Sequence, residues 1–279
     1  VFALVGILMF FVWQPIQEGI NALGMVVYSS GYFGTFLFGM IKRLLIPFGL
    51  HHVFYLPFWQ TAVGGTMEVA GTMVAGAQNI FFAQLADPTV THFSTAGTWC
   101  FTGEFVLYIF GFPGAALAMY RCSKPERKKQ VGGLLLSAAL TSILTGITEP
   151  LEFSFLFVAP VLFVVHAVLA GSSFVVLNLL GCRAIGPNGF IDFLLYNLPL
   201  GIGKTRWPIY IGVGVLYFFL YYVIFRVLIV KLNLHTLGRE ADGMEMKLHT
   251  KAEYKAKTAA TAGNSTAAAP AQDTAVDAA

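Results

Sequence analysis

The 279 residues are 57% hydrophobic and 11% charged, against roughly 25% charged in an average globular protein. Residues 1–237 hold 12 Lys+Arg and 8 Asp+Glu, about 8% of that stretch, so the body cannot cover itself with a solvated surface and a water-soluble domain is excluded. The net charge of +3, with no basic-aromatic stripe, gives no support for a nucleic-acid partner.

Stretches without Asp, Glu, Lys or Arg run over 1–17, 19–41, 44–67, 69–86, 130–148, 153–182 and 207–225. A membrane-crossing helix needs roughly 20 apolar residues, and several of these runs reach that length. The expected fold class is therefore an all-α polytopic membrane protein. Val1 opens inside an apolar run without a charged flank, which reads as a chain whose upstream spans are missing. The repeated Gly-Thr-Met at 65–67 and 71–73 reads as a small-residue packing face.

Arg121, Lys124, Arg127, Lys128 and Lys129 crowd into a short segment between apolar runs, and Arg226, Lys231 and Arg239 follow the last one. Short basic loops face the cytoplasm. Both sites are expected there, with an even number of crossings between them. Three apolar blocks lie in that interval, so one of them must bend twice or return to its own side. The breaks fit at Gly146–Pro150 and within residues 181–203. Past Lys231 the chain turns polar, and residues 258–279 are an Ala/Thr-rich tether. Asn264-Ser265-Thr266 is read as an accidental sequon. The domain reading is a membrane domain over 1–237 and a cytoplasmic tail and linker over 238–279.

A carboxylate in hydrocarbon costs about 2.5–3.5 kcal/mol even on the mildest scale, so Glu149 and Glu152 need an account. They lie in Ile147-Thr148-Glu149-Pro150-Leu151-Glu152-Phe153, between uncharged runs. Pro150 disfavours helix at the residue before it, so a helix starting near Pro150 places Glu149 at or just before its first turn. That is where broken-helix transporters hold their substrates. The alternative for both residues is a cap at the membrane surface.

His51 and His52 are adjacent, about 100° apart on a helix, and so poorly placed to share a metal. A neutral imidazole instead offers one donor and one acceptor to a sugar hydroxyl. Lys42-Arg43 reads locally as a snorkelling pair at a membrane boundary. Glu18, Glu68 and Glu104 read as loop residues, and Trp13, Trp59, Trp99 and Trp207 as interfacial anchors. Cys100, Cys122 and Cys182 form no ligand spacing and read as structural or free thiols. No metal site and no cofactor are expected.

Several stretches resemble the membrane subunit (enzyme IIC) of the bacterial phosphoenolpyruvate-dependent sugar phosphotransferase system, in its glucose superfamily. They are Pro47-Phe48-Gly49-Leu50-His51-His52, then Phe110–Tyr120 (FGFPGAALAMY), then Gly132–Val158 (GGLLLSAALTSILTGITEPLEFSFLFV), and the exit Thr236-Leu237-Gly238-Arg239-Glu240. The resemblance spans roughly residues 30–240. LIPFGLHHVFYLPFWQT and the GREAD exit are closest to the maltose, α-glucoside or arbutin-type subgroup; glucose or N-acetylglucosamine permeases are the alternative. The stretch Gly97–Glu104 (GTWCFTGE) matches less closely and carries no site assignment.

The resemblance implies the C-terminal, sugar-binding half of an enzyme IIC with re-entrant hairpins. A preceding helical half would form the homodimer. It places the sugar-binding glutamate on Glu149, with Thr148 beside it. The binding histidine falls on His51, with His52 second, and a basic site residue on Arg43. It further implies group translocation in the bacterial inner membrane, the tail cytoplasmic. The sugar is phosphorylated from a phosphocysteine of enzyme IIB, itself supplied through enzyme IIA and HPr. Glu149 would accept hydrogen bonds from the sugar and assist deprotonation. No enzyme IIB phosphocysteine motif is present in the chain, so the donor domain is expected elsewhere. An ion-coupled secondary sugar transporter, with Glu149 carrying the proton, is a second class of reading, and a non-transporting fragment or sensor that only binds sugar or a partner is a third.

Overall fold

The computed structural model describes residues 2–184 and 189–239. The polar tail beyond Arg239, the Ala/Thr-rich tether, the Asn264 sequon and Glu240 of the exit motif lie outside the described residues.

The first uncharged run continues through Glu18 into one helix, α1 (Phe2–Ser29), so Glu18 is helical rather than in a loop. Its outer part exposes Phe2, Leu4, Phe10 and Phe11. Gly31, at φ 58°, turns the chain into α2 (Gly31–Leu44). Thr35, Phe38, Gly39, Lys42 and Arg43 are buried along α2, the three-to-four-residue spacing of one helical face. Gly49, at φ 67°, closes a 3-10 turn over Ile46–Phe48, and α3 (His51–Gln60) follows with Pro57 inside it.

The 44–67 run is thus cut by a proline and a left-handed glycine and does not form a span. The two Gly-Thr-Met copies do not form a packing face. They lead into the strands of a hairpin, β1 (Thr66–Val69) and β2 (Thr72–Ala75), paired Thr66↔Ala75 and Val69↔Thr72. Its two turn residues, Ala70 and Gly71, both have positive φ, as a two-residue hairpin loop of matching twist requires. Glu68 lies exposed on β1 rather than in a loop.

After α4 (Ala77–Ala86), an irregular segment carries Trp99 and Glu104 into a π-helical stretch, Val106–Gly111, which continues as α5 (Phe112–Cys122). Next come α6 (Lys128–Thr145), α7 (Glu149–Leu156), α8 (Pro160–Leu179), α9 (Phe190–Tyr196), α10 (Gly201–Thr205) and α11 (Trp207–Lys231). The 30-residue uncharged run is broken once, just before Pro160, into α7 and α8. The chain is an all-α polytopic membrane protein with one small hairpin. Among the described residues, α1, α8 and α11 are long and apolar enough to cross a bilayer.

Glycines set the close helix contacts. A Cβ at Gly171 would stand 2.6 Å from the Phe36 carbonyl oxygen, and one at Gly39 would stand 3.1 Å from Gly171 Cα, so α2 and α8 cross nearly backbone to backbone. On α5, a Cβ at Gly114 would meet the Phe218 carbonyl oxygen of α11 at 2.4 Å. The larger apolar core gathers on α5, α8 and α11, with Phe112, Phe155, Leu162, Tyr221 and Phe225 fully enclosed. The basic loop and the exit segment touch: Lys124 N–H donates to the Gly238 carbonyl at 3.0 Å, and Arg239 Nη1 donates to the Cys122 carbonyl at 3.1 Å. Those two basic segments therefore lie at the same end of the molecule.

Candidate functional site

Gly146, left-handed at φ 74°, ends α6, and three residues later α7 begins at Glu149 with Pro150 in its first turn. Proline is well suited there because it has no N–H to leave unpaired. The helix start falls where the sequence places it. Thr148 N-caps α7 through its backbone: its carbonyl accepts from the N–H groups of Leu151 and Glu152, each at 3.0 Å. One turn of helix then separates the two carboxylates into different environments. The Glu149 side chain is 35% exposed, while that of Glu152 is fully enclosed.

A cavity of about 290 Å³ opens at this turn. Its walls bring together all five residues placed at the site by resemblance: Arg43, His51, His52, Thr148 and Glu149. They come from α2, α3 and the α6–α7 turn. The cavity also takes in residues that the sequence reading left out: Lys42, Tyr55, Trp59, Glu104 and Tyr108.

Lys42-Arg43 is not a snorkelling pair. Both side chains are buried, and each meets a carboxylate from a distant segment. Lys42 Nζ pairs with Glu104, whose other oxygen accepts from the Tyr108 hydroxyl at 2.5 Å. Arg43 Nη1 donates to Glu152 Oε1 at 3.0 Å and to Thr148 Oγ1 at 3.2 Å. Glu152 is therefore a buried ion-pair partner and not a surface cap. Behind it, His166 Nε2 lies 3.6 Å from Glu152 Oε1, and its Nδ1 lies 2.9 Å from the Tyr221 hydroxyl. Glu104, read from sequence as a loop residue and set in the stretch given no site role, is completely buried.

Aromatic faces hold the two cations further. Lys42 Nζ sits 4.3 Å from the Tyr55 ring centre, and the Arg43 guanidinium sits 5.2 Å from that of Tyr108. Such contacts contribute most where water is excluded. Trp59 and Trp99 are buried rather than interfacial. The Trp59 ring lies against Tyr55, tilted by 36° with centres 4.1 Å apart, and Trp99 Nε1 donates to the Gly64 carbonyl at 3.2 Å. Trp13 is exposed on α1, and Trp207 is half-buried.

The charges sort cleanly. Glu104 and Glu152 are neutralised by Lys42 and Arg43, whereas the carboxylate of Glu149 lies nearest to a histidine, His51 Nε2, at 3.9 Å. His52 Nδ1 is instead 2.7 Å from the Tyr55 hydroxyl. The two imidazoles lie 4.0 Å apart, so side-chain torsions undo the divergence expected of adjacent helical positions. Arg43 Nε and Nη2, Trp59 Nε1 and His51 Nδ1 are buried without a hydrogen-bond partner among the described residues, and each belongs to a cavity wall. A buried donor left unpaired costs about 1–3 kcal/mol. These four nitrogens belong to residues that line the same cavity as the partly exposed Glu149 carboxylate. Among the described residues no three His, Cys, Asp or Glu side chains gather as a metal site.

The fold and the cavity together define an all-α polytopic membrane protein with a charged cavity at a broken helix. The family model described as "Phosphotransferase system, EIIC" matches residues 1–171, and the chain belongs to that family. It is 50% identical over 246 residues to a Staphylococcus carnosus protein named "PTS system glucoside-specific EIICBA component". The aligned part covers 87% of this chain and 34% of that protein, so the chain spans about a third of the relative's length.

Proposed function

We propose that the chain is the sugar-binding membrane part of a phosphotransferase permease, and that the cavity between α2, α3 and the α6–α7 turn receives a glucoside. The observation that carries this reading is the pairing pattern. Glu104 in the cavity wall and Glu152 behind it are locked in ion pairs, whereas Glu149, also in the wall, is partly exposed with only His51 beside it among the described residues. In this reading Glu149 accepts hydrogen bonds from sugar hydroxyls, and Arg43, His51 and Trp59 donate to sugar oxygens. Thr148 contributes by holding Arg43 in place. His51 has the direct role and His52 the lesser one, because His52 is engaged with Tyr55. A volume of about 290 Å³ lies at the small end of ligand sites, roughly 300–1,000 Å³. It suits one pyranose ring, with the aglycone of an α-glucoside or arbutin-like compound toward the opening.

The chemistry proposed is group translocation. A phosphocysteine of enzyme IIB approaches the bound sugar from the cytoplasm. The sulfur–phosphorus bond breaks as the sugar hydroxyl forms its phosphate ester, and the hydroxyl proton passes to the Glu149 carboxylate. The relative's name joins the C component to B and A components, which supports enzyme IIB as the partner and, through it, enzyme IIA and HPr. The joined basic loop and exit segment are assigned to the cytoplasmic side by the positive-inside rule, with residues 1–237 as the membrane domain and 238–279 as the cytoplasmic tail and linker. A homodimer in the bacterial inner membrane completes the proposal.

The test is uptake of labelled maltose by vesicles, with arbutin and glucose as competitors. Accumulation as sugar phosphate, dependent on the phosphotransfer proteins, is the expected result. Accumulation of unmodified sugar that follows membrane potential or pH would replace this reading with an ion-coupled transporter.

A further inference from the structure

A second concavity lies away from the sugar cavity, on the outer face of α6 where it meets α5 and α11, with a volume of about 570 Å³. We propose that this groove binds an anionic phospholipid. The phosphodiester rests on Lys128 and Lys129, and an acyl chain lies along Gly132, Gly133, Leu136 and Leu140.

The groove exists because α6 lacks side chains where it needs them least. Gly133 has open space where a Cβ would stand, and Gly132 faces the Tyr120 ring. Leu136 and Leu140, one helical turn apart, are 61% and 46% exposed. Below the lysines the walls are apolar down to Ile143, fifteen residues on from Lys128. That distance is about 22 Å along a helix, enough for the roughly 15 Å hydrocarbon depth of one leaflet. An apolar trough with two ammonium groups at one end matches a molecule with an apolar chain and an anionic head.

Charge complementarity selects the anionic class. Five cations lie between residues 121 and 129, while the sequence holds one carboxylate, Glu126, between 105 and 148. Lys128 and Lys129 are the two whose side chains form part of the groove wall. Basic pockets between helices at a membrane surface hold lipid head groups, at about 1 kcal/mol per lysine, which is about fivefold in affinity.

The experiment measures lipid binding to the purified full chain by native mass spectrometry, titrating phosphatidylglycerol, phosphatidylcholine and inorganic phosphate. The variants are Lys128→Gln with Lys129→Gln, and Gly133→Phe to fill the trough. Lys231→Gln, at the same end of the molecule and outside the groove, is the control. Phosphatidylglycerol should bind saturably and more tightly than phosphatidylcholine. The paired lysine change should weaken it about 25-fold, and Gly133→Phe should weaken both lipids at least tenfold. Lys231→Gln should change nothing.

Three results would overturn the proposal. The first is equal loss with Lys231→Gln, which would mean general surface attraction. The second is displacement of the lipid by inorganic phosphate at a matching concentration. The third is disulfide cross-linking of two copies through Gly133→Cys, which would make the groove an interface for a second chain.

Discussion

Replacing Glu152 by Gln removes one negative charge from the centre of the molecule and nearly nothing else. Glu152 is fully enclosed, and its Oε1 accepts from Arg43 Nη1 at 3.0 Å. The guanidinium keeps Thr148 Oγ1 at 3.2 Å and the Tyr108 ring, neither of which carries charge. Removing one member of a buried pair costs about 3–5 kcal/mol, because the remaining charge is left uncompensated. Gln retains an acceptor oxygen, so the lower end, about 3 kcal/mol, is expected. Arg43→Met should cost a similar amount, since it strands the carboxylate, with His166 Nε2 at 3.6 Å as its nearest remaining ionisable neighbour. The double variant should cost no more than either single one, because each change removes the group that the other stranded. The assay is SDS-induced unfolding of the protein in mild detergent, followed by tryptophan fluorescence. Singles near 3 kcal/mol and a double near 6 would show two independent sites, and the ion-pair account would fail. A Glu152→Gln cost below about 1 kcal/mol would fail it equally.

Glu149→Gln should leave unfolding unchanged and weaken labelled maltose binding about tenfold, since bonds to a charged acceptor contribute about 1.5–3 kcal/mol against about 1 for a neutral one; unchanged affinity in equilibrium dialysis would remove Glu149 from the site. His51→Ala should reduce binding more than His52→Ala, and the reverse order in the same dialysis would move the histidine role one residue along. Gly171→Ala places a Cβ 2.6 Å from the Phe36 carbonyl oxygen and should destabilise the α2–α8 crossing by about 1–3 kcal/mol, read as a lower SDS midpoint with sugar affinity per folded molecule retained.

The start of α7 was legible because it is local. Gly146 supplies a left-handed residue, Pro150 fits a first turn, and the helix begins at Glu149 between them. The low charge of residues 1–237 was equally sufficient for the fold class, since composition alone decides whether a surface can be solvated. Lys42, Arg43 and Glu104 were misread although the argument applied to Glu149 covers them: a charge set among apolar runs is costly wherever it occurs. Local pattern favoured snorkelling for the first two and a loop for the third, and no window of sequence contains both members of either pair. The uncharged runs at 19–41 and 44–67 overstated the spans for a related reason. Absence of charge is a property of a window, whereas Gly31, Pro47 and Gly49 redirect the backbone inside it.

By itself, then, the sequence determined a membrane body, from the low charge of residues 1–237, and the breaks at Gly146 and Pro150, from a few consecutive positions; Glu149, His51 and Arg43 were assigned as candidates through the family resemblance. Tertiary structure decided the roles. Lys42 is 62 residues from Glu104 and Arg43 is 109 from Glu152, and only the packing of α2 against α7, α8 and the segment before α5 makes two carboxylates structural and leaves Glu149 open. The physical reason is that a buried charge is defined by what compensates it, and the compensating group need not be near in sequence.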